Sequence, residues 1–119
     1  MLFLLAGLVS LTACKTPLRL YATRSADMHE SNAARLRSFG PAEQPAIVVD
    51  LPKGCGWGEK AGTLWVDDAV SGRSIWNQSQ FMREGSTNYF LPDGLGPGSF
   101  FATLMSGGEP VSRINFEVR

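Results

Sequence analysis

From residue 46 onward, apolar and polar residues alternate in short runs broken by glycine and proline. A period of two belongs to strands with one buried face. Ile47, Val49 and Leu51 share one phase, and the run stops at Pro52-Lys53-Gly54. Thr63–Asp67 sets Leu64 and Val66 against Thr63, Trp65 and Asp67. Ser71-Gly72 is a turn signal, so Arg73–Asn77 reads as the hairpin partner, with Trp76 beside Trp65 on one face. Gln78–Ser86 is polar apart from Phe81 and Met82 and is expected to cross between sheets before a strand at Thr87–Leu91. Near the start, Leu18, Leu20 and Ala22 alternate with Arg19, Tyr21 and Thr23, which predicts a first, edge strand. Ser25–Phe39 is the least strand-like part. Asp27 and Glu30 favour a helix start, Ala33, Ala34, Leu36 and Arg37 favour its body, and Gly40-Pro41 ends it. Its apolar face (Met28, Leu36, Phe39) is thin, so the expectation is a short helix or a long loop near residues 25–40.

The last stretch carries the strongest fold signal. Pro97-Gly98 leads into Phe100, Ala102 and Leu104 in one phase, Gly107-Gly108 turns the chain, and Ile114, Phe116 and Val118 answer on the returning strand. This hairpin resembles the last two strands of bacterial immunoglobulin-like and fibronectin-type sandwiches, where a Pro-Gly corner feeds an aromatic ring into the core. The tyrosine usual in those families is Phe100 here, so no hydroxyl ties the corner to the backbone. The resemblance implies an all-β, immunoglobulin-like sandwich of six or seven strands. It speaks for architecture only, because such sandwiches host unrelated functions.

The N-terminal pattern is different. Leu2–Leu11 is uncharged and almost wholly apolar, and Leu11-Thr12-Ala13-Cys14 follows. The run is too short for a bilayer span, which needs roughly 20 apolar residues, and matches a signal-peptide core of roughly 7–15. It resembles a bacterial lipoprotein signal with its lipobox. The resemblance implies that residues 1–13 are a removed signal peptide, that Cys14 carries diacylglycerol and an N-linked acyl chain such as palmitate, that 14–17 form a tether, and that 18–119 form the sandwich domain. The resemblance implies a lipid-anchored place in the cell envelope and, if the cell is Gram-negative, the outer membrane facing the periplasm, because Lys15 stands in place of the aspartate that retains lipoproteins in the inner membrane. Two or more acyl chains give stable anchorage where one gives only marginal binding.

Composition narrows the function classes. Eleven basic and eleven acidic residues cancel, which argues against a nucleic-acid partner. Thirteen glycines and seven prolines suit short strands and many turns. With Cys14 lipidated, Cys55 leaves no pair for an internal disulfide. Flanked by Gly54 and Gly56, Cys55 is either a reactive thiol or a small buried residue, and burial is the commoner role.

Catalytic chemistry finds little support. His29 is the single histidine, it has no second ligand at a metal-binding spacing, and it reads as a surface residue. Asp67, Asp68 and Asp50 offer oxygens for calcium, but no calcium-loop spacing is present, so no metal or cofactor is expected. The unusual feature is aromatic. Trp57, Trp65 and Trp76 lie within twenty residues, and Tyr89 and Phe101 occupy outward phases. Such rings fill cores or form binding surfaces. These readings favour a non-enzymatic, lipid-anchored interaction module of the cell envelope that docks an envelope protein, as accessory subunits of secretion or surface machines do. The alternatives are a glycan- or peptidoglycan-binding module using Trp65, Trp76, Trp57 and Phe101, and a domain faintly resembling immunoglobulin-like proteinase inhibitors across Gly72–Phe81 and the Pro-Gly corner.

Overall fold

The computed structural model describes residues 16–119; the lipobox and the signal segment lie outside them. The described chain forms eight strands: β1 (Arg19–Arg24), β2 (Ser38–Phe39), β3 (Pro45–Leu51), β4 (Glu59–Asp68), β5 (Ser74–Arg83), β6 (Ser86–Phe90), β7 (Gly98–Ser106) and β8 (Glu109–Val118). They make two sheets, a smaller one ordered β1-β3-β6 and a larger one ordered β2-β8-β7-β4-β5. Every pairing is antiparallel except the short parallel β2–β8 contact. The all-β, two-sheet expectation holds, and β1 is an edge strand.

The core fills the space between the sheets. Ile47, Val49 and Leu51 of β3 face Leu64 and Val66 of β4 and Phe100, Ala102 and Leu104 of β7, all of them buried. The phases read from the sequence are those observed on β4, β7 and β8. Three rings close one end of the sandwich. Phe100 lies 5.5 Å from Phe116 between ring centroids, and Phe39 meets Phe116 edge-on at 6.0 Å. The Pro97-Gly98 corner delivers Phe100 into this group. Gly98 has φ 153°, and a Cβ there would sit 3.4 Å from the Phe100 ring.

The short helix or long loop expected near residues 25–40 is a single 3-10 turn, Ser25–Asp27, in an irregular segment. Two expectations need correction. The strand count rises because Ser38-Phe39, assigned to the helix-or-loop region, pairs with Glu117-Val118 and buries Phe39 completely. The rest of that segment lies over the outer face of the smaller sheet, where Arg35 stacks on Tyr21 at 4.6 Å and His29 meets Tyr89 edge-on at 4.6 Å. That cover explains why Val48, out of phase with the core side of β3, is also fully buried between Tyr21 and Tyr89. Finally, Gln78–Ser86 is no crossover. β5 runs straight on to Arg83, and the chain changes sheets only at Glu84-Gly85, where Gly85 has φ 86° and its N–H donates to Leu51 O at 2.6 Å.

The phase assignment predicts a sharp contrast. Phe100→Ala and Phe116→Ala should each cost about 3–5 kcal/mol in urea unfolding, as buried ring deletions do. Phe101→Ala, on the opposite face of β7, should cost about 1 kcal/mol or less. Equal losses at Phe100 and Phe101 would contradict the phase.

Candidate functional site on the outer sheet face

The outer face of the larger sheet is built by residues that alternate with the core. Trp65 and Asp67 point outward from β4, Phe101, Thr103 and Met105 from β7, and Arg113 and Asn115 from β8. The register sets Trp65 opposite Thr103, Thr103 opposite Arg113, and Phe101 between Asp67 and Asn115. Trp65 and Phe101 are therefore diagonal neighbours on one face, within reach for side chains of this size. Arg113 binds the patch together. Its Nε donates to Thr103 Oγ1 at 2.9 Å, and its guanidinium lies 5.1 Å from the centroid of the Phe101 ring. Thr103 is only 4% exposed, although it faces away from the core. The surrounding rings and the guanidinium therefore cover it. Two shallow depressions flank Phe101, one of about 290 Å³ that includes Arg37 and Ser99, the other of about 190 Å³ that includes Arg113 and Ile114.

The other aromatic candidates go elsewhere. Trp76 stands opposite Val66 and packs against the core, while Trp65 stands opposite Asn77, so the two indoles lie on opposite faces. The cause is a one-residue bulge. Asp67 pairs with Ser74 but Val66 pairs with Trp76, which leaves Ile75 as the extra residue. Without it, the register would have placed Trp76 beside Trp65, and one residue of slip exchanges the faces. Tyr89 is outward-phased but belongs to the smaller sheet, beneath His29.

Trp57 is not a surface residue. It is 5% exposed, and its Nε1 donates to Met82 O at 3.1 Å and to Lys60 O at 3.3 Å, with the Lys60 ammonium over the ring at 4.7 Å. Its place exists because residue 62 is glycine. A Cβ there would fall 2.8 Å from Trp57 Cη2 and 2.6 Å from Met82 Cε. Cys55 is buried in the same cluster. The loop carrying both turns through Gly54, Gly56 and Gly58, all with positive φ, and Glu84 holds it from across the hairpin. Its carboxylate accepts the Gly58 N–H at 2.6 Å and the Gly54 N–H at 2.9 Å. These two bonds, that from Gly58 the stronger, keep the Glu84 carboxyl below its ordinary value.

The acidic candidates also separate. Asp50 pairs with Arg19 in the smaller sheet. Asp68 caps the β4–β5 turn, accepting the Val70 and Ser71 N–H groups at 2.8 and 2.9 Å. No three His, Cys, Asp or Glu side chains among the described residues are grouped to hold a metal ion. His29 is exposed and lines a polar concavity of about 340 Å³ with Arg19, Tyr21, Arg35, Asp50 and Tyr89. Arg113 and Thr103 are the members of the outer patch that pattern reading missed. The signal was available, because both stand on outward phases, Thr103 across from Trp65 and Arg113 across from Thr103.

No known protein-family profile and no curated protein matches the chain. Among solved structures, it is similar to an immunoglobulin-like protein of Pseudomonas aeruginosa, at 15% identity and a TM-score of 0.53, over 87% of this chain and 93% of the other. The protein has an immunoglobulin-like β-sandwich fold. At that identity the likeness concerns the fold alone.

Two consequences follow from the Trp57 loop. Gly62→Ala should destabilise the domain by about 1–3 kcal/mol through overpacking, read from urea unfolding. Acid should loosen the loop in a defined direction. Because the folded Glu84 carboxyl lies below its unfolded value, the unfolded chain takes up the proton first as pH falls. The stabilisation is complete above the ordinary glutamate value and disappears as pH falls through the lower, folded one. Trp57 fluorescence during acid titration checks this, and Glu84→Gln should flatten the response.

Proposed function

We propose that this protein is a lipid-anchored, non-catalytic interaction module of the cell envelope that docks a partner protein through the outer face of its larger sheet. Anchorage rests on the Leu11–Cys14 lipobox. The docking role rests on one observation. Trp65 and Phe101 are diagonal neighbours on a sheet face with the Arg113 guanidinium over the Phe101 ring, while Trp57, Trp76, Phe39, Phe90, Phe100 and Phe116 serve the core. Indole, phenyl and guanidinium groups are the side chains that dominate protein interfaces, because they bury large area at low entropic cost. Arg113 adds a bidentate donor suited to an acidic residue on the partner. The depressions beside Phe101 also favour a second reading, a glycan or peptidoglycan ligand with a sugar ring on the aromatic surface.

The experiment uses the full chain in mild detergent. Trp65→Ala with Phe101→Ala should keep the circular dichroism spectrum and lose the envelope partner retained by the wild type, by at least about 2 kcal/mol for hot-spot residues. A folded double variant that binds as well as the wild type would rule out this face. Sedimentation with insoluble peptidoglycan separates the glycan reading from the protein one. Cys14→Ser should abolish acyl labelling and release the protein from the membrane fraction, and a wild type without lipid by intact mass would remove the anchorage argument.

A further inference from the structure

Of the strands at the sheet edges, β5 is the longest, with ten residues against six in β1, two in β2 and five in β6. No described strand pairs with its outer side. Exposed edges are normally guarded by proline, inward-pointing charge, lysine or brevity. From Ser74 to Met82 there is no proline, no glycine and no charge. The edge carries instead two exposed apolar side chains, Ile75 at 45% and Phe81 at 62%.

The hydrogen-bond parity of this edge follows from the hairpin. The Glu84 N–H donates to Gly58 O at 2.9 Å, and the register places Arg83 opposite Glu59 and Met82 opposite Lys60. In an antiparallel ladder bonded and non-bonded pairs alternate. Trp76, Gln78, Gln80 and Met82 therefore spend their main-chain groups on β4. Asn77, Ser79 and Phe81 direct their N–H and C=O groups outward, and Ile75 is the unpaired residue of the bulge. Beyond the bulge the same face of β4 continues to bond, as the Asp68 N–H donates to Arg73 O at 2.8 Å.

We infer that β5 pairs antiparallel with β5 of a second copy of this chain, with Gln78 on the two-fold axis. In that register Asn77 meets Ser79 of the second copy and Ile75 meets its Phe81. Asn77 and Ser79 are both outward-bonding, so each Asn77–Ser79 pair can exchange two main-chain hydrogen bonds. The same register sets the two exposed apolar side chains opposite one another, Ile75 from the bulge and Phe81 from the regular strand. Centring on Asn77 or Ser79 also satisfies the parity but leaves Ile75 opposite a serine or an arginine. Counting outward from Gln78, Arg73 falls opposite Arg83 of the second copy at each end, and Asp68 beside Arg73 and Glu59 beside Arg83 supply the carboxylates next to that pair. This pairing uses an edge distinct from the Trp65–Phe101 face and does not depend on it.

The test is a register-specific cross-link in the full chain, in isolated membranes treated with a thiol oxidant. Gln78→Cys meets its own copy as a non-bonded pair, with Cα atoms about 4.5 Å apart, within disulfide range. It should give a reductant-sensitive dimer. Gln80→Cys meets position 76 and should not. Adding Phe81→Lys, at an exposed position, should lower the Gln78→Cys cross-link at least about tenfold with an unchanged circular dichroism spectrum, as loss of an interface anchor does. Absence of the Gln78→Cys dimer, equal cross-linking by Gln80→Cys, or capture of a different protein at position 78 would each overturn the inference. None of these outcomes bears on partner binding by Trp65 and Phe101, which is read separately.

Discussion

Three strands have to cover five, and the structure depends on how that mismatch is met. A sheet face left in water loses the burial that drives folding. At one end of the larger sheet the deficit is met by Phe39, carried on the brief β2 strand and wedged against Phe116. At the other end it is met by the 52–58 loop, which lays Trp57 on Gly62 and Met82. Between them the inner side of β5 stays partly open, with Trp76 half covered and Gln78 exposed. The glycine-rich loop is therefore a structural complement of the smaller sheet, and Phe39 fills the gap from the edge of the larger one.

This division explains which parts of the fold were readable from sequence. Strands whose two faces see core and solvent declare themselves by alternation, as β4, β7 and β8 did. Phe39 and Trp57 gave no such signal, because each is a lone cover brought in from an irregular segment. The polar run Gln78–Gln80 looked like a crossover because an edge strand beyond the reach of the smaller sheet has no apolar requirement. Trp76 was placed on the wrong face because the position of a bulge depends on the pairing of two strands. A single sequence carries alternation far more clearly than register.

The candidate surface shows the same asymmetry. Trp65 and Phe101 were legible, since their phases follow from their own strands. Their junction required the β4–β7 register, and the bracing by Arg113 required β8 as well. Thr103, buried on an outward phase, marks where the sheet surface is already covered by its own side chains. That prior ordering matters for recognition, because side chains fixed before contact lose less entropy on binding.

Symmetry adds a consequence for orientation. The axis relating two antiparallel edge strands runs perpendicular to their sheet, so the proposed dimer places its chain starts at opposite lateral ends. With the acyl anchors proposed at Cys14, both chains would reach one leaflet together when that axis stands along the membrane normal, with the strands flat on the bilayer. Five residues from Cys14 to Arg19 reach at most about 17 Å when extended, and β1 belongs to the smaller sheet, which such an anchor would turn toward the lipid. Residues 19–37 carry four arginines, of which Arg19 and Arg24 pair with Asp50 and Glu43. The opposite layer, with Trp65 and Phe101, would then face outward across the compartment as a two-fold symmetric platform.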